Sequence, residues 1–240
     1  MSTPIIQLQN VSKSFGKKEV LHNINFAVEK GEIFGLLGPS GSGKTTLVKC
    51  MIGMEQTTKG KIELLNTVIP NLNITLKIGF MAQSDALYQD LTAYENVDFF
   101  ATLYGLKGKH KKERIKYVLS LVNLLEDQRK RVSDYSGGMK RRLSLAISLL
   151  HEPEVLILDE PTVGIDPILR QSIWNELGIL RKNGTTIVVT THVMDEAEKC
   201  NRLGMIREGQ MIAIGTPSEL KERIQVNTIE EAFLTYGGAK

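Results

Sequence analysis

Apolar positions along this chain follow two periods. Ile5, Ile6, Leu8 and Val11, then Leu21, Ile24, Phe26 and Val28, predict strands over 5–11 and 20–28, joined by a polar loop from Ser12 to Lys18. Ile33-Phe34-Gly35-Leu36-Leu37 is a continuous apolar run that reads as a buried strand. Leu47, Val48, Met51 and Ile52 follow it at helical spacing. Residues 60–65 and 78–82 predict two further strands. From Asp90 to Leu150 the period turns helical. Leu91 to Asn96 offers a helix start, and Val97, Phe100, Ala101 and Tyr104 continue it until Gly105 and Gly108. A second helix is predicted over 111–125, with Ile115, Val118, Leu119, Val122 and Leu125 on one face. After a polar, basic connection from Glu126 to Tyr135, Ser136-Gly137-Gly138 opens a third helix to Leu150.

Strands then return. Val155-Leu156-Ile157-Leu158 is fully apolar, the mark of a parallel strand covered on both faces, and Thr185 to Thr190 reads as another buried strand. Helices are predicted over 168–181 and 194–200, a hairpin over 203–214 around Glu208-Gly209, and small helices over 217–224 and 228–235. The fold class is therefore α/β, with a helical block at about 88–150 inserted between strands of one sheet.

Composition narrows this little. The chain has 240 residues, 42% hydrophobic and 24% charged, which suits one domain with lobes. No apolar run approaches the roughly 18 residues a membrane span needs. Met1-Ser2-Thr3-Pro4 lacks a basic region leading into an apolar core, so no secretory leader is expected. Cys50 and Cys200 form no C-x-x-C pair and fit a reducing compartment as ordinary thiols. A net charge of +3 does not point to nucleic acid.

The strand 33–37 runs into Gly38-Pro39-Ser40-Gly41-Ser42-Gly43-Lys44-Thr45, with the spacing G-x-x-x-x-G-K-[ST], followed by Thr46. Glycines let successive N–H groups converge on one concavity, and the next helix adds the positive end of its dipole. Residues 38–46 are thus the expected triphosphate cradle, with Lys44 on the outer phosphates and the Thr45 hydroxyl on Mg²⁺. Asp159-Glu160 ends the strand 155–158. Alone such a pair is a solvated strand end. In a chain with a phosphate loop, Asp159 is placed to hold the Mg²⁺ shell and Glu160 to polarise the attacking water. Gln83 follows the strand 78–82, where its amide can contact Mg²⁺ or water, though a lone strand-end Gln is usually a surface residue. His192 follows the strand 185–190, where an imidazole can bond the γ-phosphate, though a lone His there is more often a surface or capping residue. Ser136-Gly137-Gly138 is a second anion-binding helix start, which a single phosphate site leaves unexplained.

The order of these elements resembles the ATPase domains of ABC transporters over essentially the whole chain. It runs phosphate loop, Gln83, Ser136-Gly137-Gly138-Met139-Lys140, Leu158-Asp159-Glu160-Pro161, Gly164-Ile165-Asp166 and Thr191-His192. The resemblance implies a RecA-like parallel-sheet core, an antiparallel β subdomain and a helical subdomain. It implies that two copies bind head to tail, each ATP held between one copy's phosphate loop and the other's Ser136-Gly137-Gly138. It puts Phe15 against adenine and Asp166 on the loop crossing the dimer interface. The signature departs from the usual L-S-G-G-Q: Met139 stands where Gln is common. The stretches Ala86 to Leu106, Tyr135 to Leu143 and Ile229 to Leu234 resemble ABC-2-type exporters. Such subunits sit at the cytoplasmic membrane face on a separate transmembrane permease, whose coupling helix would dock just after Gln83.

Two other classes fit the residues less well. An ABC-type ATPase acting on nucleic acid or the ribosome would carry a long coiled coil or two cassettes. A P-loop kinase would leave Ser136-Gly137-Gly138 without a role. The basic tract Lys107 to Lys112 reads chiefly as a solvated helix start, with anionic lipid as the lesser alternative.

Overall fold

The computed structural model describes residues 4–84 and 86–238; the stretch Met1 to Thr3, where the absence of a leader was read, lies outside them. Strands β1 (Ile6–Phe15) and β2 (Lys18–Val28) form a hairpin. β3 (Ile33–Leu37) leads through the glycine-rich loop into helix α1 (Lys44–Met51). β4 (Lys59–Leu64), β5 (Thr67–Val68) and β6 (Ile78–Met81) follow. Helices α2 (Ala93–Leu103), α3 (Gly108–Leu121) and α4 (Gly137–Ser148) come next, then β7 (Val155–Asp159), α5 (Pro167–Lys182), β8 (Thr186–Thr191) and α6 (Met194–Ala197). The chain closes with β9 (Arg202–Arg207), β10 (Gln210–Gly215), α7 (Pro217–Glu222) and α8 (Ile229–Tyr236).

Two sheets result. One is antiparallel, ordered β2-β1-β4-β5; the other is ordered β10-β9-β3-β8-β7-β6, parallel except for β10. Every residue of β3, β7 and β8 is buried, as their unbroken apolar or Thr-rich runs require. The order places β3, β8 and β7 side by side, so the loops leaving their carboxyl ends converge on one crevice. α2, α3 and α4 pack together through Ala93, Val97 and Ala101, Ile115, Val118 and Leu119, and Leu143 and Ala146. They form the helical lobe expected between β6 and β7.

Three expectations are corrected. Ser12 to Phe15 is strand, not loop: the hairpin turns at Gly16-Lys17, with Gly16 at φ 59°. Bulges at Asn10 (φ 51°) and Asn23 (φ 47°) break the period of two and disguise the strand. Lys13 looked like loop polarity, yet it is buried, its ammonium bonding Gln56 O at 2.9 Å and pairing with Glu55 at 2.8 Å. α3 runs over 108–121 rather than 111–125. Asn123 at φ 53° ends the helical course and turns Leu124, not Leu125, fully into the core. The strand β5 and the 3₁₀ turns Leu72–Lys77 and Val132–Asp134 were not foreseen, being too short for a periodic signal.

Candidate functional site

The phosphate-loop sequence forms an open bowl because its glycines carry its bends. Gly41 sits at φ 78° and Gly43, immediately before α1, at φ 104°. A Cβ on Gly38 would stand 2.3 Å from Ile206 O, so the strand exit tolerates only glycine. Lys44 opens α1 and folds back beneath the loop. Its ammonium donates to Gly38 O at 2.7 Å and Pro39 O at 3.0 Å, and lies 3.6 Å from Glu160 Oε1. Burial lowers its pKa, while Glu160 and Asp159 pull the other way.

The carboxyl end of β7 supplies the acids. Asp159 is fully buried; Thr190 of the neighbouring β8 donates to its Oδ1 at 2.5 Å, and its Oδ2 has no partner among the described residues. Glu160 has left the sheet at φ 53°, its N–H held by Thr190 O at 3.2 Å and Thr190 Oγ1 at 3.0 Å. This αL turn aims the carboxylate back over the loop. His192 Nδ1, one residue past β8, lies 3.2 Å from Glu160 Oε1. One carboxylate oxygen therefore bridges Lys44 and His192. Behind them, buried Glu196 accepts from Thr191 Oγ1 at 2.6 Å and from Thr162 Oγ1, tying the β7 and β8 exits together.

A cavity of about 280 Å³ lies over this cluster, lined by Val20, Ser40, Gly41, Gly43, Lys44, Thr45, Thr46, Gln83 and Glu160. A second, of about 380 Å³, adjoins it along Gly38, Pro39 and Ser40 to His192, Met194 and Phe233. The structure thus brings the phosphate loop, Gln83, Asp159, Glu160 and His192 to one place. Phe15 is not among the lining residues of either cavity. It stands half-exposed at the end of β1, with the Lys13 ammonium 4.6 Å from its ring centroid. Ser136, Gly137 and Gly138 are not among them either. They open α4, where Ser136 Oγ accepts the Met139 N–H at 3.2 Å and Gly137 faces open space. Asp166 caps α5, accepting the Leu169 N–H at 3.0 Å.

One organising residue escaped the sequence reading. Arg141 of α4 is buried, and its guanidinium donates to Ala82 O at 2.6 Å, Gln83 O at 2.9 Å, Glu160 O at 2.8 Å and Asp159 O. It joins the helical lobe to the exits of both β6 and β7. Its helical spacing to buried Leu145 and Ser148 was the available signal.

A glycine bowl on a helix N-terminus, a buried lysine and two strand-end acids at the crevice of a parallel sheet define a P-loop nucleotide-binding protein of α/β class. The sequence pattern described as ABC transporter matches residues 21–163, and the chain belongs to the ABC transporter family as an ATP-binding protein. It is 42% identical over 241 residues to the linearmycin resistance ATP-binding protein LnrL of Bacillus subtilis (strain 168), covering 96% of this chain and 78% of that protein. It is 41% identical over 234 residues to the Nod factor export ATP-binding protein I of Rhizobium sp. (strain N33), covering 96% and 77%. With the probable multidrug ABC transporter ATP-binding protein YbhF of Escherichia coli (strain K12) it shares 39% over 237 residues, 96% of this chain but 41% of that one. The fold matches an ATP-binding subunit of an ABC transporter at TM-score 0.90 and 24% identity, over 97% of this chain and 99% of that one. It also matches the ATP-binding cassette MJ0796, in a dimeric post-hydrolysis state bound to ADP and Pi, at TM-score 0.82 and 27% identity, over 88% and 98%.

Proposed function

We propose that this chain is the ATP-hydrolysing subunit of an exporter, one nucleotide-binding domain over 1–240 with its helical subdomain at about 88–150. It closes as a pair around two ATP and drives a separate transmembrane permease from the cytoplasmic membrane face. The observation that carries the reading is the Glu160 carboxylate, held between Lys44 and His192 above the glycine bowl. A carboxylate fixed there can take a proton from a water as it attacks the γ-phosphorus, while ADP leaves. In this reading residues 38–46 hold the phosphates by backbone N–H groups, the Lys44 ammonium and the helix dipole. His192 orients the water and the γ-phosphate, and Phe15 stacks on adenine.

The unpartnered buried Oδ2 of Asp159, together with the Thr45 hydroxyl and the Gln83 amide, is a donor set that suits Mg²⁺. That ion, when bound, neutralises charge on the phosphate oxygens. Because Ser136 and Gly137 are exposed, Gly138 is half-buried, and none of the three lines either cavity, this glycine start is assigned to the ATP of a second copy of this chain. The names of the relatives, for linearmycin resistance and Nod factor export, support an exporter without identifying the cargo. The Glu160→Gln variant tests the assignment. It should bind ATP as the wild type does while turnover falls about 10²–10⁴-fold, the range for loss of a positioned base. Undiminished turnover would assign the proton transfer elsewhere.

A further inference from the structure

Residues 105–117 hold six Lys or Arg and one acid, Glu113. The fold sorts these cations. Arg114 turns inward, donating to Leu149 O at 2.7 Å and Leu150 O at 3.2 Å. Lys111 is spent on α2, bonding Asp98 at 2.6 Å and Thr102 Oγ1 at 2.7 Å. Lys107, Lys112 and Lys116 are exposed and make no ion pair among the described residues. Lys109 meets only Glu113, at 3.6 Å, with its side chain 90% exposed, a pairing worth little in water.

These cations flank exposed apolar surface. Asp98 and Thr102, which anchor Lys111, line an open groove on α2 with Phe99, Leu103 and, one turn earlier, Glu95, whose carboxylate is taken up by the Thr92 N–H and hydroxyl. Phe99 is 43% exposed and Leu103 66%; Tyr88 packs edge-on against Phe99 with ring centroids 5.0 Å apart. Leu103 stands four residues before Lys107. One corner of the helical lobe therefore presents aromatic and aliphatic side chains beside a cluster of unspent lysines. Water solvates lysines well but gains nothing from Phe99 and Leu103. A bilayer interface answers both, with anionic headgroups for the ammonium groups and the acyl boundary for the rings.

We infer that the α2–α3 corner, through Lys107, Lys109, Lys112, Phe99 and Leu103, rests directly on anionic phospholipid headgroups, independently of any permease. The test is flotation of the full chain with protein-free vesicles of 30% phosphatidylglycerol in phosphatidylcholine, against pure phosphatidylcholine. The anionic vesicles should carry the protein up at 0.1 M NaCl and release it at 0.5 M. Lys107→Gln/Lys109→Gln/Lys112→Gln should weaken binding on the order of 100-fold, from about 1 kcal/mol per lysine. Lys30→Gln/Lys59→Gln/Lys61→Gln, the same charge change at exposed positions elsewhere, should leave binding intact. Both triple variants should keep wild-type ATPase activity, which reports that they fold. The inference is overturned if anionic vesicles fail to carry the protein, if neutral vesicles carry it equally, or if the two triple variants lose binding alike.

Discussion

Replacing Arg141 by Met removes a buried cation while keeping an unbranched apolar stem of similar reach. Four carbonyls lose a charged donor at once: Ala82, Gln83, Asp159 and Glu160. Hydrogen bonds to a charged group contribute about 1.5–3 kcal/mol each, and stranded buried acceptors keep their desolvation cost. The four are not additive, since Ala82-Gln83 and Asp159-Glu160 are adjacent pairs that share one relaxation. A net loss of about 3–5 kcal/mol is expected, since two separate pairs of carbonyls are each stranded at about 1–3 kcal/mol. At about 2–4 °C per kcal/mol for a chain of this size, Tm should fall by about 6–20 °C. Urea titration of purified Arg141→Met against wild type measures it directly. Turnover should fall more than ATP affinity, because the Gln83 and Glu160 backbones are released while residues 38–46 are untouched. Arg141→Lys, with one rotatable donor head in place of the planar fork, should recover only part. A loss below about 1 kcal/mol with normal turnover would refute the claim that Arg141 holds the two strand exits together.

The Tyr135 hydroxyl donates to Asp127 O at 3.0 Å, and burial, then the Asp127 charge, push its pKa up to about 12. Below pH 10 both states keep the proton; between about 10 and 12 only the unfolded chain releases it. Stability should therefore fall as pH rises through that window, and Tyr135→Phe should make the fall shallower at a cost of about 1 kcal/mol at neutral pH. Paired denaturation curves at pH 8 and 10.5 decide it, and an unchanged slope would contradict it. Gly43→Ala would force a Cβ at φ 104° to within 2.9 Å of Leu21 Cδ2. It should cost about 1–3 kcal/mol and abolish ATP binding by reshaping the bowl; calorimetric ATP titration with wild-type affinity would count against that.

Much of this was legible in the residues. The apolar runs 33–37 and 155–158, with the Thr- and Val-rich strand expected at 185–190, became β3, β7 and β8, the fully buried centre of the parallel sheet. The candidate chemistry at their carboxyl ends was legible only through the phosphate-loop spacing ending in Lys44, which gives Glu160 and His192, just beyond two of these strands, a reading other than that of solvated strand ends. What stayed hidden depends on contacts distant in sequence. Lys13 looked like loop polarity because its partners, Glu55 and Gln56, lie some forty residues on. Arg141 looked like one basic residue in a basic stretch, since its acceptors lie on two other strand exits. Leu124 replaced Leu125 in the core because a single αL residue, Asn123, reset the helical phase.

The central claim is that each ATP is shared by two copies of this chain, and complementation tests it most directly. Lys44→Ala disables the phosphate loop. Gly137→Asp has open space for its side chain and sits at a helix N-terminus that tolerates a carboxylate, yet it would repel phosphate. Each variant alone should be inactive. In a mixed dimer one composite site carries both lesions and the other carries neither. ATPase activity should therefore reappear on mixing, up to about a quarter of wild type for random isologous pairing. A mixture as inactive as its components would mean that the glycine start of α4 does not serve a neighbour's nucleotide.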